Sequence, residues 1–302
     1  MYDVAIIGGG PGGLSAGIYA ARANLKTVIV ERGLYGGQMQ NTLDIENYPG
    51  FDNIEGPVLS ERLYNQALGV GVEWKYGNVQ SVKLEGQPKV LNLGDETLEA
   101  RSVIIASGAS PRPLGVPGEA EFTGRGVSYC ATCDGALYRG ADVIVVGGGD
   151  SAIKEAILLT RFANKVTVIH RRDALRAAGI LRDRAFDNPK IQFMWDTVVD
   201  KIEGDNRVTG VLARNVKDGS TQIVEAKGVF IYVGVDPVTD FLKGSEILDE
   251  WGYILTDEFM ATSIPGVYAA GDVRAASLRQ IVNAASDGAA AAMKAYEYLE
   301  TL

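Results

Sequence analysis

The chain has 302 residues, which at roughly 150 per domain predicts about two domains with cores large enough to fold without disulfide staples. Acidic residues outnumber basic ones 38 to 29, and the resulting charge of −9 argues against nucleic acid or an anionic membrane surface as partner. No apolar run reaches the length of a membrane span and the start, Met1-Tyr2-Asp3, lacks a secretory pattern, so a cytoplasmic protein is expected.

Taken in chain order, Asp3–Ile7 is a short apolar run that reads as a parallel strand covered on both faces. It runs into Gly8, Gly10, Pro11, Gly12 and Gly13, a G-x-G-x-x-G turn, and then into a helix with Leu14, Ile18, Ala21 and Leu25 on one face. A second strand, Thr27–Val30, ends at Glu31. Glycines at these spacings make a tight turn, let the backbone approach a pyrophosphate and allow close helix–strand packing. An acidic side chain after the second strand accepts hydrogen bonds from a ribose diol, which suits Glu31 to an unphosphorylated adenosine ribose.

The same unit recurs 139 residues later. Asp142–Val146 repeats the strand, Gly147, Gly149 and Ala152 repeat the turn as G-x-G-x-x-A, Ile153 and Ile157 repeat the helix face, and Val166–Ile169 repeats the second strand. The residue after that strand differs. In place of an acid stand His170, Arg171 and Arg172, with Arg176 close behind, a basic group suited to a 2′-phosphate and therefore to NADP. A solvated helix face is the competing reading, and it is the one that fits Arg182 and Arg184.

Ser107–Pro113 and Gly234–Pro237 are turn-rich and read as linkers, predicting a domain over 116–236 inserted into one built from 1–115 and 237–302. The fold class is α/β, two Rossmann-like dinucleotide-binding domains with the second inside the first. Near the end, Val267–Ala270 reads as a strand leading to Gly271-Asp272, where Asp272 suits either a polyol ligand or a plain cap. From Ser277 a small-residue helix is expected, with Ile281, Ala285, Ala289 and Met293 on its packing face.

Only two cysteines occur, Cys130 and Cys133, in a polar loop before the second unit. A Cys-x-x-Cys pair lets one thiol attack a partner's disulfide while the other resolves the mixed disulfide. A closed zinc site lacks ligands, because two thiols and one distant histidine cannot fill four positions within one chain; no metal is expected. Asp134 fits either a general acid for the leaving thiolate or an Asp-Gly turn. His170, the single histidine, is crowded by arginines that disfavour the imidazolium a serine hydrolase needs.

This ordered set, with Gly36-Gly37-Gln38, Glu46–Gly50, Cys130–Gly135, Gly271-Asp272 and Arg279-Gln280, resembles the low-molecular-weight bacterial thioredoxin reductases over nearly the whole chain. The resemblance implies a homodimeric flavoprotein in which NADPH reduces FAD, FAD reduces a Cys130–Cys133 disulfide, and the dithiol reduces thioredoxin. It implies that Cys133 is the thiol serving the flavin, Cys130 the one attacking thioredoxin, and Asp134 the proton donor. By the same likeness Glu31, Gly37, Gln38, Asn47, Asp272, Arg279 and Gln280 serve FAD. Asp150, Ser151, His170, Arg171, Arg172 and Arg176 serve NADPH, and the inserted domain rotates during turnover. Three positions depart from the family pattern: Lys154 stands for a glutamate, Leu278 for a tyrosine and Ser107 for a threonine. These leave open donation by NADH or reduced ferredoxin; a dithiol oxidase using oxygen and a redox-sensing flavoprotein are the competing functions.

Overall fold

Runs such as Val4-Ala5-Ile6-Ile7 and Val143-Ile144-Val145-Val146 carry no alternation, and in the computed structural model both lie at the centre of parallel sheets with almost no solvent exposure. Each valine or isoleucine in these runs contributes about 1.5–3 kcal/mol by leaving water. The structure describes residues 1–42 and 45–302. It divides into two units, one from Met1–Ser110 and Asp236–Leu302, the other from Pro111–Val235.

In the first unit the strand order is Glu73–Tyr76, Thr27–Glu31, Tyr2–Ile7, Thr97–Ile105, Lys89–Asn92, Ser81–Lys83. The first four run parallel, and Val267–Ala269 adds in parallel to the end of Thr97–Ile105, making seven strands. Lys89–Asn92 and Ser81–Lys83 form an antiparallel extension. The second unit has a five-stranded parallel sheet in the order Ile191–Met194, Lys165–Ile169, Asp142–Val146, Gly228–Ile231, Val127–Ser128. Beside it lies an antiparallel meander, Thr197–Gly204, Val208–Asn215 and Thr221–Glu225.

The repeat extends to register. Val4 lies opposite Thr27 in one unit and Val143 opposite Val166 in the other, the same pairing displaced by 139 residues. In each unit a further strand pairs on the other side of the first, so both sheets reverse direction of assembly there. In such sheets ligands bind outside the carboxyl ends of the strands at this switch point.

The terminal helix differs from its expected form. It runs from Ile281 to Glu300, starting after Ser277–Gln280, and buries Ala284, Gly288, Ala291, Ala292, Ala295 and Leu299 rather than the stripe from Ile281 to Met293. Gly288 decides the rotation: a Cβ there would stand 2.0 Å from the Gly12 carbonyl oxygen, so this face meets the helix Pro11–Arg22 most closely. No helix among the described residues is long and apolar enough to cross a membrane.

Candidate functional site

Both glycine turns separate into glycines that the protein requires and one that it does not. Gly8 has φ 105°, and a Cβ on Gly13 would stand 1.9 Å from the Gly8 carbonyl oxygen. Gly10 has φ −75° and Gly149 φ −94°, values open to any residue, and a Cβ on either would meet no protein atom within 4 Å. Each sits at the N-cap of its helix without a side-chain cap. Neither backbone nor packing demands glycine there. Unclaimed N–H groups at a helix start, approachable because a side chain is missing, are what a pyrophosphate requires, so both turns fit a dinucleotide.

In the first unit the Gly8–Gly13 turn gathers several expected residues. Glu31 accepts from Gly9 N–H at 2.6 Å through Oε2 and from Gly33 N–H at 2.8 Å through Oε1, leaving lone pairs for hydroxyl donors. Pro11 begins the helix, where its missing N–H costs nothing. Gly36 N–H donates to the Gly9 carbonyl, and Gly37, at φ 56°, packs on Gly10 Cα and brings Gln38 alongside. Gln38 Nε2 lies 3.5 Å from the Ala109 carbonyl. Asn47 donates to Gln280 Oε1 at 3.1 Å across 233 residues of sequence.

Gly12 approaches Ala270, the residue before Gly271-Asp272. Burial pushes the Asp272 carboxyl above its ordinary range, while Ser277 Oγ donates to it at 3.3 Å. Beneath it Asp287 accepts from Gly271 N–H and from Arg274, an ion pair at 2.7 Å that sequence reading missed. Arg279 turns aside: its guanidinium donates to Tyr253 Oη at 3.0 Å and lies 5.4 Å from that ring's centre.

In the second unit the arginine loop is tied to the glycine turn twice. Arg176 N–H donates to the Gly148 carbonyl, and Ala178 N–H to Asp150 Oδ1 at 2.7 Å. Ser151, Arg171, Arg172 and Arg176 are exposed beside that turn, and Ala152 is buried beneath it. His170, unlike the three arginines, is buried. It is 5% exposed, and its ring lies so close to Gly148 that a Cβ there would meet it at 2.4 Å. Burial first, then Arg176, Arg172 and Arg171, lower its pKa against a hydrogen bond with the Ala174 backbone that raises it.

Cys130 and Cys133 form a disulfide across the one-turn helix Ala131–Asp134, with Cα atoms 5.3 Å apart. Cys130 is the N-cap, and its Sγ accepts from Cys133 N–H at 3.2 Å. Ser128 Oγ accepts from Cys130 N–H at 3.1 Å and donates to Asp134 Oδ2 at 2.6 Å, so the aspartate is wired to the turn it follows. Thr132 Oγ1 reaches Glu155 Oε2 at 3.5 Å, and burial raises the Glu155 carboxyl. Tyr232 Oη accepts from Ala131 N–H at 2.6 Å. Glu155 and Tyr232 had no sequence signal, because each acts through a contact between separate elements, whereas Ser128 stands two residues before Cys130, outside the Cys-x-x-Cys pattern itself.

Two dinucleotide folds and a closed dithiol define a class, and the comparisons agree with it. A family model described as pyridine nucleotide-disulphide oxidoreductase matches residues 2–288, and the chain belongs to that family. It is 52% identical to a thioredoxin reductase of Listeria monocytogenes, over 100% of this chain and 95% of the relative, and 49% identical to one of Bacillus subtilis, over 100% and 96%. Among solved structures, a thioredoxin reductase from Streptococcus pyogenes matches with TM-score 0.97 at 55% identity, covering 100% of this chain and 99% of that one. One from Lactococcus lactis, described as in an FR conformation, matches with TM-score 0.69 at 49% identity over 100% of both chains.

Proposed function

We propose that this chain is a thioredoxin-disulfide reductase that takes electrons from NADPH through FAD to the Cys130–Cys133 pair, acting as a cytoplasmic homodimer. The observation that carries this is the disulfide itself, closed on a short turn within a chain that holds two glycine turns fit for dinucleotides. FAD and NADPH, when bound, supply the hydride and electron transfer that no side chain here provides. Glu31 accepts from the adenosine ribose, and Asp272, Asn47 and Gln280 hold the flavin's polar groups. Arg171, Arg172 and Arg176 hold the 2′-phosphate, which selects NADPH over NADH. His170, neutral and buried, supports the turn rather than the charge.

The disulfide accepts two electrons and two protons to become a dithiol. Cys130 then attacks the thioredoxin disulfide, forming a mixed disulfide and releasing one partner thiolate. Cys133 attacks Cys130 Sγ, closes the ring again and releases the second thiolate. Asp134, held by Ser128, returns the proton to a leaving thiolate. The family resemblance implies that one unit rotates on its two links between the two halves of this cycle.

The test is a matched anaerobic assay of NADPH, NADH and reduced ferredoxin with oxidised thioredoxin, run with the parent and with Cys133→Ser. NADPH should support the fastest turnover, and the variant should lose disulfide reduction while its flavin still bleaches. Faster bleaching by NADH would overturn the donor assignment, and turnover by Cys133→Ser would overturn the dithiol route.

A further inference from the structure

The two units present different residues at one equivalent place. After Thr97–Ile105, Ala106 N–H donates to the Ile7 carbonyl at 2.8 Å; after Gly228–Ile231, Tyr232 N–H donates to the Val146 carbonyl at 2.8 Å. Ile7 and Val146 are 139 residues apart, so these are matching positions of the repeat. The carbonyls match too, since a Cβ on Gly8 would stand 2.4 Å from the Ala106 oxygen and one on Gly147 2.5 Å from the Tyr232 oxygen. The first unit keeps this position small. The second carries a phenol whose ring packs on the core of the unit and whose hydroxyl reaches the cysteine turn.

That turn needs acceptors at its N-terminal end, because the first N–H groups of any helical turn have none within it. Cys133 N–H uses Cys130 Sγ, Asp134 N–H uses the Cys130 carbonyl, and Ala131 N–H uses Tyr232 Oη. When the disulfide opens and Cys130 Sγ moves to a partner's sulfur, the first of these is lost along with the covalent link. The Tyr232 bond is independent of either sulfur. Burial, Glu155 and Asp134 all favour the neutral phenol, so it remains a phenol in both redox states.

We propose that Tyr232 is a positioning residue for the dithiol: by holding Ala131 N–H it keeps the Cys130–Cys133 turn assembled while the disulfide is open, so that Cys133 stays placed to close it. The proposal rests on the reading of this pair as the working dithiol. Loss of the hydroxyl should then weaken ring closure without touching nucleotide binding.

The experiment equilibrates holoenzyme with mixtures of reduced and oxidised dithiothreitol without oxygen, then counts free thiols by maleimide labelling. Each ring that opens takes two electrons and two protons from a dithiothreitol that itself cyclises to its disulfide. Tyr232→Phe should lower the equilibrium constant for closure roughly three- to tenfold, the effect of losing one internal hydrogen bond. It should lower kcat with thioredoxin and leave both the KM for NADPH and the rate of flavin bleaching by NADPH unchanged. Tyr232→His, whose ring nitrogen can accept the same N–H, should recover part of the loss. Equal closure constants in parent and Tyr232→Phe would overturn the proposal, as would slower flavin bleaching in the variant, which marks a packing role only, or indistinguishable Phe and His variants. A parent whose pair never opens in this buffer would instead defeat the dithiol reading on which it stands.

Discussion

A single residue can show which force acts on it through the pH at which it matters, and His170 is the only histidine in the chain. Its folded pKa is depressed, chiefly by burial. In the unfolded chain it takes up a proton near 6.5, so just below that pH the unfolded state binds more protons than the folded one. Stability should therefore fall as pH drops through about 6.5, and the loss should level off once pH passes below the folded pKa. His170→Gln should flatten that slope in urea titrations across the same range; an unchanged slope would mean the histidine is not the group responsible. The ion pair of Arg274 with Asp287, both less than a tenth exposed, contrasts with Lys243–Asp240, which is almost wholly in water and should contribute nothing measurable.

Between elements, the closest approach in the first unit is that of the helices Pro11–Arg22 and Ile281–Glu300 at Gly12 and Gly288. Gly288 is in ordinary helix, so its glycine serves distance and not backbone freedom. Gly288→Ala must push the helices apart, at a cost of about 1–3 kcal/mol. Because Gly12 lies in the glycine turn proposed to hold FAD, FAD retention should fall together with the melting temperature. Retained FAD at full stoichiometry with an unchanged melting temperature would show that the contact is softer than the geometry indicates.

For the whole molecule, the repeat predicts that two like substitutions have separable outcomes. Gly10→Ala and Gly149→Ala each add a methyl group that meets no protein atom, so the fold should change by less than ~1 kcal/mol in either case. Gly10→Ala should bind FAD with a Kd raised about tenfold, the effect of ~1.4 kcal/mol, and lose colour on dialysis. Gly149→Ala should keep its yellow colour and bleach only at raised NADPH. If both lose colour, or neither does, the assignment of one dinucleotide to each unit is wrong. Flavin absorbance and anaerobic NADPH titration read both outcomes.

What was legible in the sequence was local or periodic. The strands Tyr2–Ile7 and Asp142–Val146, the glycine turns, the change from Glu31 to His170 and the Cys-x-x-Cys pair all follow from residue types at fixed spacing, which neighbours along the chain alone determine. Three features required the tertiary structure. The buried face of Ile281–Glu300 was misread because alanines at neighbouring spacings carry almost equal hydrophobicity, and only contact with Gly12 selects the face through Gly288. His170 followed a basic pattern in the chain yet is buried, because the position after that strand points its ring under Gly148. Tyr232 touches the cysteine turn from just beyond the strand Gly228–Ile231, and a hydrogen bond between residues 101 apart leaves no trace in the spacing of either segment.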